Sequence, residues 1–249
     1  MVMRERLLVA LDAYREMLPV ARANAIDPRS NSGASLGLLK GLLRDLGVSE
    51  FIVDGNVESF KANLVEASRY MVTVFERYDS GEQISPSYVS MLAFKDLFDC
   101  LAAGDMNLAK SIASHMGGRD AVEKEHDHPF DHVMGYTLRA FVLGESENMS
   151  AWLMKLTSKC EQPRDADFIG YCIGYKAILD ADVSAASRGL ETIVIGHKKQ
   201  SKGRGVFKST PDEGVSVWGV GMANLMRYRG LAVQAVPPLI PAELLIKIR

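Results

Sequence analysis

Charge of one sign is the first thing this chain lacks: 29 basic and 31 acidic residues nearly cancel over 249 positions. Without a global field, nothing draws the protein as a whole to DNA or to an anionic bilayer, so any charged partner has to be met by a local patch. Nucleic acid is therefore not expected among its partners. Cysteine is scarce, with Cys100, Cys160 and Cys172 odd in number and widely spaced. That pattern excludes a disulfide framework and a zinc knuckle. Long apolar runs are missing as well. The stretch 7–11 is too short for a secretory segment, and the most apolar region, 168–179, carries Lys176, so a membrane span of ~20 residues is not expected. The cytoplasm is the expected compartment.

Catalytic signatures are equally sparse. Gly-x-Ser-x-Gly occurs once, at Gly33-Ala34-Ser35-Leu36-Gly37, but it falls in turn chemistry ahead of a helix with no strand before it, whereas a nucleophile elbow needs a strand-to-helix turn. Gly-Lys-Ser/Thr and His-Glu-x-x-His do not occur. Cys100 and Cys172 fall on apolar helix faces, where a thiol is inert. No enzyme and no cofactor are expected. What remains is an ordinary globular composition, 47% hydrophobic and 24% charged with 9 prolines, long enough to bury one large core.

Helical periodicity dominates. Phe60, Leu64, Ala67, Met71, Val74 and Tyr78 recur at three- and four-residue steps, which predicts a helix over 57–78 with Asp54-Gly55-Asn56 as its turn and N-cap. A first helix over about 2–24, bent near Pro19, precedes turn chemistry at 27–35 and a short helix whose leucines end at Gly47. Ser85-Pro86 predicts a helix start. From there apolar helices end at Ala103-Gly104-Asp105, Leu143-Gly144-Glu145 and Ala181-Asp182, turns 40 and 37 residues apart. This is the spacing of helix hairpins. A polar loop over 197–211, a helix over 215–229 and a short helix over 242–248 complete the chain. The fold class expected is all-α, stacked antiparallel helix hairpins in one domain over 1–249, with an N-terminal helical subdomain 1–80 packed on a hairpin array 86–249. A monomer or weak dimer follows from the lack of a long edge strand.

Two charged clusters and one histidine cluster stand out. Asp120, Glu123, Glu125, Asp127 and Asp131 oppose only Lys124 and make an acidic docking patch for a basic partner. Lys198, Lys199, Lys202, Arg204 and Lys208 form the converse cluster, with Gly203 and Gly205 letting the backbone approach an anion. Within His126-Asp127-His128-Pro129-Phe130-Asp131-His132, His128 is the N-cap of a helix beginning at Pro129. Two imidazoles, His128 and His132, and Asp131 would meet at an ion if one bound, but the cluster lacks a third distant ligand, so no metal is expected. Gly170 and Gly174 predict close helix packing, and Tyr171, Tyr175, Trp152 and Trp218 are read as core in preference to interface anchors.

Three segments carry a resemblance: Ala102-Ala103-Gly104-Asp105 with Leu108-Ala109; His128-Pro129-Phe130-Asp131 leading to Leu138-Arg139-Ala140-Phe141-Val142-Leu143-Gly144; and a closing stretch with Met222-Ala223-Asn224-Leu225, Arg229-Gly230-Leu231 and Leu239-Ile240-Pro241-Ala242-Glu243-Leu244-Leu245. Their order over about 88–249 resembles the immunity-49 family of bacterial polymorphic toxin systems. The resemblance implies an all-helical antidote that binds a cognate, secreted or contact-delivered toxin in the cytoplasm, with no catalytic residues. For such an antidote the acidic run is expected to contribute more than the basic one. A helical-repeat adaptor and a metal-dependent helical enzyme are the rival classes.

Overall fold

A computed structural model describes residues 3–27, 33–234 and 236–248, and the greater part of the turn expected over 27–35 lies outside them. Helix α1 (Met3–Ile26) runs through Pro19 and buries Leu7, Leu11, Ala21 and Ala25. Tyr14 and Leu18 pack between them, so the inward seam follows a four-three spacing. Helix α2 (Ala34–Asp54) does not stop at Gly47 but continues to Asp54. Gly47 is instead a contact point, since a Cβ there would lie 2.9 Å from Asn63 Cβ and 3.3 Å from the Phe60 carbonyl on the next helix. The stop comes from Gly55, left-handed at φ 69°, whose N–H donates to the Phe51 carbonyl at 2.8 Å. Asn56 then caps α3 (Val57–Asp79) by accepting the Ser59 N–H at 3.0 Å.

Ser85-Pro86 opens a 3₁₀ turn (Pro86–Val89), a second follows (Met91–Ala93), and the α-helix begins only at Phe94. Tertiary partners explain the delay: the Asp127 carboxylate accepts the Met91 N–H at 3.1 Å, and Gly135 leaves room for Met91, whose carbonyl is 2.9 Å from where a Cβ would stand. Helices α4 (Phe94–Ala103) and α5 (Met106–His115), α7 (Pro129–Leu143) and α8 (Ser146–Cys160), and α9 (Ile169–Asp180) and α10 (Val183–Gln200) form hairpins, with the short α6 (Asp120–His126) before the second. The three hairpin turns share one device. Gly104, Gly144 and Ala181 are left-handed C-caps at φ 83°, 78° and 53°, and Asp105 and Asp182 cap the returning helices through Leu108 N–H and Ala185 N–H.

Helix α10 extends through Gln200, so the loop expected from residue 197 starts four residues later. His197 is a buried helical residue whose Nε2 lies 2.8 Å from the Asp212 carbonyl and whose ring stacks on Phe207 at 4.3 Å. Phe207 thereby anchors the loop, and a 3₁₀ turn (Pro211–Gly214) leads into α11 (Val217–Tyr228). Helix α11 returns to pack on α4, so the array closes on itself. Its buried Asn224 donates to the Leu101 carbonyl at 2.9 Å and accepts the Ile246 N–H at 2.9 Å. Held this way, residues 242–248 make only a 3₁₀ turn (Ala242–Leu244) in place of the expected helix.

The result is all-α: among the described residues there is no β-strand, and no helix is long and apolar enough to cross a membrane. One apolar core runs without interruption from Ala21 on α1 to Leu245, joining the first three helices to the hairpin array. Tyr175, Tyr171 and Trp218 lie in it, whereas Trp152 is only partly buried.

Close packing of α9 on α10 depends on Gly170, where a Cβ would lie 2.4 Å from the Ile193 nitrogen. Gly170→Ala should therefore cost on the order of 3 kcal/mol in chemical denaturation. Ala181→Gly, which relieves a left-handed alanine, should instead stabilise by about 0.5–1 kcal/mol.

Candidate functional site

The acidic run does not form one solvated face. Asp120 and Glu125 are exposed, Asp131 is half-buried with its carboxyl raised by burial, and Glu123 is 3% exposed. The Asp127 side chain is 1% exposed. Each inward carboxylate is fixed by a backbone N–H: Glu123 Oε1 accepts from Arg119 at 2.9 Å and Asp127 Oδ1 from Met91 at 3.1 Å. Tyr136 Oη donates to Glu123 Oε2 at 3.0 Å. Burial keeps the Asp127 carboxyl above its ordinary range despite help from Ser90, Met91 and His132. His132, on α7, faces both acids, with Nδ1 3.4 Å from Asp127 Oδ2 and 3.6 Å from Glu123 Oε2. Its ring packs against Tyr136 and Trp152, which stack on each other at 4.4 Å.

His128 caps α7 as expected, its Nδ1 accepting the Phe130 N–H at 3.2 Å. That use separates it from His132, so the companions of His132 are Glu123 and Asp127, and the grouping of His128, His132 and Asp131 is not the one formed. Glu123 and Asp127 stand in the acidic run and His132 in the histidine cluster, and the sequence does not mark them as one group; which way each side chain points depends on contacts with residues 91 and 119.

The basic cluster stays on the surface. Lys198, Lys202 and Arg204 are exposed, while Lys199 and Lys208 pair loosely with Asp167 and Glu213, each at 3.2 Å. Lys198, Lys202 and Lys208 line, with Met3 and Glu213, a shallow depression of about 350 Å³. Gly205 does not open a cradle for an anion; its close approach is to the Gln200 carbonyl at the end of α10. A feature that no motif marks lies on α1, whose outward face carries Val9, Met17 and Val20 at 69%, 46% and 62% exposure. The signal was in the sequence: apolar residues repeat on the face opposite the buried seam.

A third polar centre is buried at the junction of the two halves. Arg44 on α2 donates through Nε to Asp99 on α4 and through Nη2 to Asp212 after α10, both at 2.7 Å. The second oxygens of Asp99 and Asp212 find no protein hydrogen-bond partner. One guanidinium between two buried carboxylates leaves excess negative charge, and burial pushes the Asp99 carboxyl up to about 7 although Arg44 opposes the shift. Burial also pushes the Cys100 thiol up and the His197 imidazole down, so these groups are held neutral.

Comparison with known proteins returns nothing that decides among functions: no family model matches the chain, and no curated protein or solved structure matches it.

The Arg44 centre has a consequence for stability. With its carboxyl raised in the folded state, Asp99 binds its proton more tightly folded than unfolded, so its contribution is complete below about pH 4 and is lost as pH rises through about 7. Unfolding free energies measured by denaturant between these limits should show Asp99→Asn declining less with pH than the parent, by up to about 1.4 kcal/mol per unit. Parallel curves would contradict the buried, protonated state.

Proposed function

We propose that the chain is an immunity protein, an antidote that binds a cognate bacterial toxin in the cytoplasm of the cell that makes both. The observation that carries this is the way the three segments resembling the immunity-49 family meet. Asn224 in the closing stretch donates to the Leu101 and Ala102 carbonyls at 2.9 and 3.3 Å, and Arg229 donates to the Phe141 carbonyl at 3.1 Å. Segments far apart in sequence thus make one structural unit, which supports a shared fold behind the resemblance. A rigid helical scaffold with charged and apolar surface patches suits binding, where preorganisation lowers the cost of association.

Exposure changes which surface is favoured for the toxin. Of the acidic run, only Asp120 and Glu125 stand fully in solvent, whereas Lys198, Lys202 and Arg204 all do. The basic cluster adjoins Met3 at the start of α1, and α1 carries the outward apolar stripe, so steering charge and apolar contact area occur together. The partner surface would then be acidic. An adaptor role has one observation in its favour, an open groove of about 1160 Å³ between residues 103–107 and 246–248 with Tyr228 at its edge.

Co-expression with the product of a neighbouring toxin gene tests the proposal, scored by growth and by association rate at low and high salt. Lys198→Glu, Lys202→Glu and Arg204→Glu together should slow association about tenfold at low salt and much less at high salt. Asp120→Lys with Glu125→Lys should have the smaller effect. If the parent protein neither rescues growth nor binds, the antidote proposal fails for that pair; if only the acidic variants lose protection, the surface assignment alone fails.

A further inference from the structure

We infer that Glu123, Asp127 and His132 form a binding site for a first-row divalent cation of the zinc type. The inference is independent of the toxin proposal and rests on three observations. The first is distance. His132 Nδ1 lies 3.4 Å from Asp127 Oδ2 and 3.6 Å from Glu123 Oε2. The first is a long hydrogen bond and the second is outside one. A single Nδ1–H also cannot serve both oxygens well. Ligand atoms sharing a tetrahedral zinc at 2.0–2.2 Å stand about 3.3–3.6 Å apart, which is the spacing of His132 Nδ1 from each of the two oxygens. All three ligand atoms lie within 4.8 Å of one another.

The second observation is that the donors are held from behind. Asp127 accepts the Met91 N–H on Oδ1 at 3.1 Å and more weakly on Oδ2 at 3.3 Å, and Glu123 keeps Oε1 on the Arg119 N–H, which turns Oδ2 and Oε2 toward the imidazole. Tyr136 Oη accepts the Gly118 N–H at 3.1 Å and donates to Glu123 Oε2. Such outer partners orient metal ligands and are part of how metal sites are built. The third is charge and access. Two carboxylates and a neutral imidazole balance a divalent ion, Glu123 and the Asp127 side chain are nearly inaccessible, and His132, 34% exposed, leaves a way in from solvent. One imidazole nitrogen with two oxygens suits zinc and its neighbours better than calcium or magnesium, which take oxygen ligands in larger number. The fourth position would be taken by water.

The test uses the full chain purified without a histidine tag and stripped with chelator, then titrated with Zn²⁺ against a competing chelating dye. One ion per chain is expected. Tyr136→Phe should weaken binding about tenfold and His132→Ala on the order of 100-fold or more, while His126→Ala with His128→Ala should retain it. Circular dichroism establishes that each variant keeps the parent's helix content. Should His132→Ala not fold, Glu123→Gln, which preserves the shape of the side chain, takes its place with the same expected loss, and Co²⁺ on the parent supplies a second readout, the intense visible absorption of a tetrahedral nitrogen- and oxygen-ligated ion. The proposal is overturned if zinc uptake by the parent is no stronger than by His132→Ala or Glu123→Gln, if it disappears in the His126 and His128 double variant, or if cobalt gives a thiolate charge-transfer band that places the ion at a cysteine.

Discussion

Arg44 is the interaction on which the arrangement of the rest depends. Its guanidinium reaches across 55 residues to Asp99 and 168 residues to Asp212, and so ties the first three helices, the opening of the hairpin array and the turn that leads into α11 to one point. Burying such a cluster is costly, and a well-packed apolar replacement could be as stable. What the ionic centre adds is directionality: a guanidinium with two partners at 2.7 Å sets the register of three segments at once, which apolar packing of the same volume does not. Around it, Phe98 stacks on Trp218 at 5.8 Å and Trp218 meets Phe207 edge-on at 5.0 Å, so the same junction joins the polar centre to the aromatic core.

Local chemistry made the helices legible in the sequence. Asn56 as N-cap, the left-handed Gly104 and Gly144, and the apolar spacing of α3 are all short-range features, and each is found where periodicity and capping place it. Misreadings occurred where a residue with a strong local preference was taken up by a tertiary contact. Gly47 has the look of a helix stop but is the crossing point of α2 on α3. Ser85-Pro86 has the look of a helix start, yet Asp127 captures the Met91 N–H and holds the chain in 3₁₀ turns. At the C-terminus, Asn224 takes the Ile246 N–H and residues 245–248 stay out of a helix against helical spacing. None of these partners is near in sequence, and local patterns carry no information about them.

The same divide separates the charged clusters. A run of acids reads as a solvated face, but Glu123 and Asp127 turn inward because Arg119, Tyr136 and Met91 offer them donors. The basic cluster has no comparable partners and stays outside, apart from the loose pairing of Lys199 and Lys208. The expectation of a basic partner ranks the acidic run first, while the fold ranks the two surfaces by which charges remain in water. On α1, the outward apolar residues were visible but were overshadowed by the stronger seam of Leu7 and Leu11 that the core requires.

If Arg44 unites the two halves of the molecule, its loss has to be felt at all three attachment points and not only on its own helix. Hydrogen–deuterium exchange on the full chain carrying Arg44→Met measures this directly. Amide protection should fall together in α2, in α4 and across residues 197–216, because Asp99 and Asp212 each keep a buried carboxylate that has lost its partner and α2 loses its tie to both. Loss of protection confined to the turns of α2 around residue 44, with α4 and residues 197–216 exchanging as in the parent, would contradict it.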